Sequence, residues 1–276
     1  MSTYIQIPNS LTTILTKRSK HHEAYTYALI KNQIKDSSRK ASIAEAELAT
    51  LLGETERTVN TYISTLKSLG LFVQHGQKQG SSPYPYNVYQ FAELTDDYFI
   101  LLPPFLYDTN LSPKLKGLLL FIKANCWKGT NYLFFNGKTT DLPTKLGVGK
   151  NLLPIYLEEL ESKGYIRFIG KSLHITNDSF LLFLNDDRDN VTYKIIYDYC
   201  LKHDRIPPVK NVDSRGKDKA LSWIVGTFTN DYDRLRKSLC ERCKNLPENL
   251  TLEYFCQALI NKHPITNKIQ HPDIII

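Results

Sequence analysis

The chain lacks the features of membrane-spanning and secreted proteins. No uninterrupted apolar run approaches the ~20 residues that a membrane-spanning helix needs. The N-terminus does not show the basic-then-apolar order of a secretory signal peptide. The five cysteines are few and odd in number for 276 residues, which argues against a disulfide framework. These absences predict a cytoplasmic protein without membrane contact.

The composition shows no strong bias either. Charged residues make up 23% of the chain and hydrophobic residues 42%, which excludes a disordered tail, a collagen-like fibre and a coiled-coil rod. The net charge of +7 allows nucleic acid as a partner, but there is no polybasic tail. Residues 1–95, 96–185 and 186–276 carry surpluses of +3, +2 and +2 (10 − 7, 10 − 8 and 15 − 13). Any DNA binding must therefore come from folded surfaces.

No catalytic pattern is present. The Gly-Lys at 149–150 departs from the Walker pattern, because Thr144 and Asn151 stand where glycine and serine or threonine are required. His21 and His22 are adjacent and point to different sides, unlike the histidine pair of a metal-dependent nickase. There is no acidic cluster with metal-site spacing and no supported Ser/His/Asp or Cys/His arrangement. The sequence therefore predicts a non-enzyme with no cofactor, no metal and no small-molecule substrate.

An internal repeat runs through the first two thirds of the chain, at a spacing of about 94 residues. Leucine, serine and glycine recur at the same places in the longest match, and the most upstream match is one residue out of step. Three matches in the same order indicate a duplicated unit. The matching segments are 4–8 with 99–103, Leu52-Gly53 with Leu146-Gly147, and 66–72 with 160–166.

Each repeat predicts the same succession of elements. An extended segment ends at a proline, and a helix follows at 22–36 or 113–126. A short strand and a short helix lead to Leu-Gly, and after a turn a longer helix ends at a second glycine, where a left-handed residue is expected. A β-hairpin closes each repeat. Its predicted strands are 71–75 and 84–91 in the first repeat, and 165–169 and 172–176 in the second.

This order is that of a winged helix-turn-helix, and particular residues carry the resemblance. Leu48-Ala49-x-Leu51-Leu52-Gly53-x-Thr55-x-Arg57-Thr58-Val59 is similar to the turn and recognition-helix start of that family. The second repeat resembles the winged-helix domain of phage and plasmid replication initiators and DnaD-like replisome organisers. The residues concerned are Leu111-Ser112-Pro113-Lys114-Leu115-Lys116-Gly117-Leu118-Leu119-Leu120 and Leu157-Glu158-Glu159-Leu160-Glu161-Ser162-Lys163-Gly164-Tyr165-Ile166.

The resemblance implies a mostly helical α+β fold. Two tandem winged-helix domains would occupy residues 1–95 and 96–185. The residue pattern beyond them separately predicts a helical C-terminal region at 186–276. The resemblance ends near residue 180, since the Tyr-x3-Ile-x3-Trp signature of DnaD-like proteins is absent.

The helix predicted at 56–69 has two faces. Val59, Tyr62, Ile63 and Leu66 recur at helical spacing and form a core face. The opposite face is polar and suits base edges in the major groove: arginine for guanine, asparagine for adenine, and threonine or serine for several groups. A solvated face is the alternative, favoured by the acidic residues beside it. The candidate DNA-reading residues are the N-cap Thr55, then Arg57, Asn60, Thr61, Ser64 and Lys67.

The first hairpin is predicted to act as a wing. Long polar side chains near a glycine-rich turn suit phosphate or minor-groove contacts, and a solvated turn is the alternative. The tyrosines of the second strand indicate a half-buried sheet face rather than base stacking. The candidate wing residues are His75, Gln77, Lys78 and Gln79.

The second repeat keeps the core face and loses the polar one. Leu153, Tyr156, Leu157 and Leu160 correspond to the first core face. The reading positions become Asn151, Pro154, Ile155 and Glu158, a poor surface for the major groove. We therefore expect this repeat to contact protein, as a dimer or replisome interface. Auxiliary phosphate contacts are expected at Lys138, Lys145 and Lys150.

The C-terminal region predicts a charged linker at 186–190 and helices at 191–203, 216–228, 231–244 and 251–262. Residues 191–245 carry a surplus of five positive charges (12 − 7), so Arg215 and Lys217 are further candidate phosphate contacts beside a solvated-surface alternative. Four possible zinc ligands lie in this region: Cys240, Cys243, Cys256 and His263. Because their spacing is loose for a zinc site, we expect the cysteines to be buried free thiols.

Together these patterns predict sequence-specific binding of double-stranded DNA. The resemblance to replication initiators implies that this binding serves replication initiation on a plasmid or phage genome. Transcriptional regulation of a mobile element is the alternative with the same DNA chemistry. A third alternative is an adaptor that uses winged helices only to contact proteins. The expected partners are double-stranded DNA, a second copy of the chain and replisome proteins.

Overall fold

The computed structural model describes residues 4–16, 20–35, 38–78, 86–93, 97–126, 130–135, 141–181, 188–208, 210, 217–246 and 251–260. They form an α+β structure, mostly helical, with small antiparallel sheets. The chain divides into two compact units, residues 1–184 and 185–276. Within the described residues, no helix has the length and apolar character required to cross a membrane.

The first half of unit 1 opens with a strand and a helix that lead into a compact set of elements. A three-stranded antiparallel sheet in this half has the strand order β2-β4-β3. The elements are β1 (Ile5–Pro8), α1 (Asn9–Thr16), α2 (His21–Lys31), β2 (Lys40–Ile43), α3 (Glu45–Leu52), α4 (Glu56–Ser68), β3 (Gln74–Lys78) and β4 (Tyr86–Gln90).

The second half has the same succession of elements as the first half from α2 onward. Its sheet has the strand order β6-β8-β7. In both halves the second strand of the hairpin, β4 or β8, is therefore the central strand of the sheet. The elements are β5 (Tyr98–Leu101), a 3-10 helix (Pro103–Tyr107), α5 (Pro113–Ala124), β6 (Tyr132–Phe134), α6 (Leu142–Leu146), α7 (Leu153–Ser162), β7 (Ile166–Ile169), β8 (Ser172–Ile175) and β9 (Phe180–Leu181).

Glycines end the equivalent helices in the same conformation. Gly53 after α3 and Gly147 after α6 have φ of 64° and 62°. Gly70 and Gly164, which follow α4 and α7, have φ of 70° and 76°. Because only glycine adopts this left-handed region without strain, the four positions stop the helices at matching places. The predicted left-handed helix ends are confirmed.

The two halves of unit 1 share one hydrophobic core. β1 pairs antiparallel with β5, and β9 extends this sheet on the other side of β5. Helix α2 packs against α5, and a continuous cluster of buried side chains runs from Ile5 to Phe180. The boundary expected between residues 95 and 96 therefore lies within one compact body.

The contact between α2 and α5 is close enough to require a glycine. A Cβ atom built on Gly117 would lie 1.9 Å from the carbonyl oxygen of His21. The His21 ring lies beside Phe121 and donates from Nε2 to the carbonyl oxygen of Leu146 at 2.7 Å. The start of α2 is thus fastened to α5 and to the end of α6.

Two buried lysines on α5 add polar links. Lys116 Nζ donates to Tyr25 Oη at 3.0 Å and to the carbonyl oxygen of Leu106 at 2.8 Å. Lys123 Nζ donates to the carbonyl oxygen of Thr130 at 2.8 Å. Burial lowers the pKa of both lysines to about 8.

Unit 2 has its own small helical core. Its elements are α8 (Arg188–Lys202), α9 (Lys219–Phe228), α10 (Tyr232–Arg242) and α11 (Leu252–Ile260). The interior contains Tyr193, Ile196, Leu221, Leu239 and Phe255, all nearly inaccessible to solvent.

Several boundaries differ from the sequence predictions. Residues 188–190, expected in a linker, form the first turn of α8, and residues 182–187 lie outside the described set. Helix α1 has no counterpart among the predicted elements. Strand β3 starts at Gln74 rather than near 71, since the chain first leaves α4 through Gly70.

Candidate nucleic-acid interface

Helix α4 has the two faces that its sequence predicts. Val59, Ile63 and Leu66 are buried, and Tyr62 is half-buried with its ring stacked on His22 at 5.5 Å between centroids. The other face is exposed to solvent and bears Arg57, Asn60, Thr61, Ser64 and Lys67. The structure therefore brings six candidate reading residues together, from the N-cap to the last turn of one helix.

The N-terminus of α4 is well capped. Thr55 Oγ1 accepts a hydrogen bond from the backbone N–H of Thr58 at 3.2 Å, which confirms the predicted N-cap. Thr61 Oγ1 donates back to the carbonyl oxygen of Arg57 at 3.1 Å. Such local bonds hold the first two turns in a fixed conformation.

Three of the exposed side chains on α4 have no hydrogen-bond or ion-pair partner in the described part of the chain. The side chains of Arg57, Ser64 and Lys67 make no hydrogen bond or ion pair with any residue that the structure describes. A guanidinium that is solvated and not paired with a carboxylate remains available for a bidentate acceptor.

Asn60 has a partner that sequence reasoning missed. Its Nδ2 donates to Glu45 Oε2 at 2.6 Å. Glu45 is the first residue of α3, and its Oε1 accepts from Asn87 Nδ2 of β4 at 2.7 Å. One carboxylate thus links α4 to the sheet. No local sequence pattern predicts this bridge, because its partners lie 15 and 42 residues from Glu45.

The hairpin β3–β4 is described in part. The His75 ring stacks on Tyr89 at 4.9 Å between centroids and is half-buried, so it packs on the sheet rather than extending from a turn. Burial lowers the pKa of His75, and the positive charge of Lys67 acts in the same direction. Gln79 and the side chains of Gln77 and Lys78 lie outside the described residues.

The corresponding face of α7 is apolar and acidic. Ile155 is 57% exposed and Leu152, just before the helix, is 46% exposed. Glu158 and Pro154 are also exposed on this face. On the core side, Leu153, Leu157 and Leu160 are buried as predicted.

The auxiliary basic candidates belong to different elements of the two units. Lys145 lies in α6 and Lys150 in the turn before α7, and both are exposed. Lys217 is exposed in the segment before α9, in unit 2. Lys138 and Arg215 lie outside the described residues.

The cysteines are free thiols. Cys240 is exposed on α10, whereas Cys243 and Cys256 are buried. Burial raises the pKa of Cys243 to about 12, which favours the neutral thiol. The described residues contain no group of three or more histidine, cysteine or acidic side chains arranged to hold a metal ion, and His263 lies outside them.

Comparisons of the chain with models of protein families, with curated proteins and with solved structures give no match. The basis for assigning a function is therefore the surface of α4 and its surroundings.

Proposed function

We propose that this chain is a tandem winged-helix protein that binds specific sequences of double-stranded DNA through α4. The order helix, strand, helix, helix, hairpin occurs in both halves of unit 1, with the same strand order in both sheets. That order is the layout of a winged helix-turn-helix. In this proposal α3 and α4 are the helix-turn-helix and the β3–β4 hairpin is the wing.

The exposed polar face of α4 carries the proposal. Arg57, in the first turn, suits the O6 and N7 acceptors of guanine, and Asn60 suits the N6 and N7 groups of adenine. Both lie in the N-terminal half of the helix, the half that enters the major groove in this motif. Lys67 adds a positive charge for phosphate.

The second half of unit 1 is proposed to contact protein, either a second copy or replisome proteins. Ile155 and Leu152 are exposed apolar side chains where α4 has polar ones, and Glu158 disfavours approach to phosphate. Lys145 and Lys150 would give this half auxiliary phosphate contacts at most.

The process that we propose is replication initiation on a plasmid or phage genome. It is supported by the resemblance of residues 111–120 and 157–166 to replication initiators and DnaD-like organisers. Transcriptional regulation of a mobile element uses the same DNA chemistry. The two are separated by the consequence of binding: an initiator opens an AT-rich duplex and loads a helicase, whereas a regulator blocks a promoter.

Fluorescence anisotropy tests the DNA binding itself. The full chain is titrated against a labelled duplex from its own flanking genomic DNA and against a random duplex, at two salt concentrations. We expect tighter binding to the native fragment, weakening steeply with salt as counterions are released. Equal binding to both duplexes, or none, would contradict the proposal and favour the protein adaptor.

A further inference from the structure

Glu45 holds two amide groups with one carboxylate. Oε2 accepts from Asn60 on α4, and Oε1 accepts from Asn87 on β4, at 2.6 and 2.7 Å. Asn87 is only 3% exposed, whereas Asn60 is exposed on the proposed reading face. The bridge therefore connects an anchored strand residue to a residue that would meet DNA.

The chemistry of this bridge fixes which way the Asn60 amide points. An ionised carboxylate has acceptors only, so it must face the NH2 group of each amide and not the oxygen. A primary amide carries two N–H donors, and Glu45 takes one of those of Asn60. What remains for a ligand is one N–H donor and one carbonyl acceptor.

We propose that Glu45 makes the base contact of Asn60 selective for adenine over guanine. Adenine presents an acceptor at N7 and a donor at N6 in the major groove, which match the remaining donor and acceptor of Asn60. Guanine presents two acceptors, N7 and O6. An unrestrained amide can offer both of its N–H groups to guanine, and the Glu45 bond removes that option.

Asn87 makes the restraint effective. A glutamate held only by Asn60 would move with it, whereas the second bond ties the carboxylate to β4. That strand pairs with both β2 and β3 along its length. Glu45 is thus a positioning residue: it acts on the base through Asn60 and through the strand behind it.

The test rests on the proposed DNA binding and uses the full-length chain. A randomised duplex library is selected with the wild-type chain, and the preferred sequence is then varied one base pair at a time. Asn60→Ala identifies the base pair that Asn60 reads. The wild type should favour adenine over guanine there by about tenfold or more, within the range of a good bidentate contact.

Glu45→Ala should reduce this preference to about threefold or less while leaving the preference at the Arg57 position unchanged. Glu47→Ala is the matched control, because Glu47 is exposed on the same helix and its side chain makes no bond with any residue that the structure describes. Both variants remove one negative charge near DNA, and this electrostatic effect should strengthen binding by a similar factor whatever the base sequence. The ratio between bases is therefore the informative readout, and a conservative Glu45→Gln variant, which keeps one acceptor oxygen, should give an intermediate ratio.

The outcomes separate the inference from the function on which it rests. Loss of adenine preference in Glu45→Ala, but not in Glu47→Ala, supports the role of Glu45. An unchanged adenine preference in Glu45→Ala, with Asn60→Ala still losing it, overturns that role and leaves the DNA-binding proposal standing. If the wild type selects no sequence from the library, both fail. Circular dichroism melting shows whether each variant retains its fold, and Glu45→Gln replaces Glu45→Ala in the comparison if Glu45→Ala is unfolded.

Discussion

At the scale of single residues, Gly117 is where the two halves of unit 1 leave no room for a methyl group. Gly117→Ala would place a carbon 1.9 Å from the His21 carbonyl oxygen, which is backbone and cannot turn aside. We expect the free energy of unfolding of unit 1 to fall by about 3 kcal/mol. Urea unfolding followed by circular dichroism measures this.

Gly226→Ala is the control for Gly117→Ala. Gly226 also lies within a helix, α9, but a methyl group on its Cα would meet no atom from outside that helix within 4 Å. Alanine there should stabilise its helix by about 0.5–1 kcal/mol. A Gly117→Ala variant as stable as the wild type would contradict the close packing of α2 on α5.

Two buried histidines should make unit 1 sensitive to acid. Burial, the largest cause in each case, lowers the pKa of His21 and His174 to about 4. Both are neutral when folded, but in the unfolded chain they gain a proton below about pH 6.5. The stability that their neutral state contributes to the folded protein is therefore fully present above pH 6.5 and is lost as the pH falls towards 4.

We expect the free energy of unfolding of unit 1 to fall by about 3 kcal/mol per histidine between pH 7 and 4. Urea unfolding at pH 7.0, 5.5 and 4.5 measures it. His21→Gln, which cannot gain a charge, should reduce the proton uptake on unfolding by about one in this interval. An unfolding free energy that is constant from pH 7 to 4.5, in both proteins, would contradict the buried neutral state.

At the scale of elements, α4 and α7 have equivalent positions and different surfaces. Asn151 corresponds to Arg57 in the repeat and is exposed, yet the other positions of that face are Pro154, Ile155 and Glu158. We expect Asn151→Ala to change affinity for a selected duplex by about twofold or less, as for an ordinary surface change. Anisotropy titration measures this, and a large loss would show that α7 also reads DNA.

Sequence patterns predict these elements well where periodicity and glycine coincide. The core stripe of α4, its N-cap Thr55 and the left-handed Gly70 are all local signals. The Glu45 bridge and the sheet formed by β1, β5 and β9 are not local, since they join distant segments through side-chain geometry or edge pairing. A glutamate at a helix start gives no sign in the sequence that its carboxylate accepts hydrogen bonds from two amides.

At the scale of the whole molecule, residues 1–184 should unfold as one body. The repeat suggests two separable domains, but β1 pairs with β5 and the core continues from one half into the other. A fragment of residues 97–184 would lose α2 and β1 and expose the buried face of α5. We expect a fragment of residues 1–184 to unfold in one cooperative transition, and the 97–184 fragment to show none.

Thermal unfolding by circular dichroism and calorimetry distinguishes these cases. A cooperative transition in the 97–184 fragment would instead support independent domains. Duplication is visible in sequence because each copy keeps its own helix ends and core stripe. The sequence does not show that the two repeats share one core. Apolar residues that pack against the other repeat follow the same pattern as residues that pack within one repeat.

DNA reading by α4 is best tested by the affinity of Arg57→Ala for the selected duplex. Anisotropy titration measures it beside Lys145→Ala and Lys150→Ala. If α4 reads DNA, Arg57→Ala should lose about 5- to 150-fold in specific affinity and relax the preference at one base pair. The two lysine variants should lose far less. Unchanged binding by Arg57→Ala, with binding abolished by Lys145→Ala or Lys150→Ala, would contradict DNA reading by α4 and place the DNA surface in the second half of unit 1.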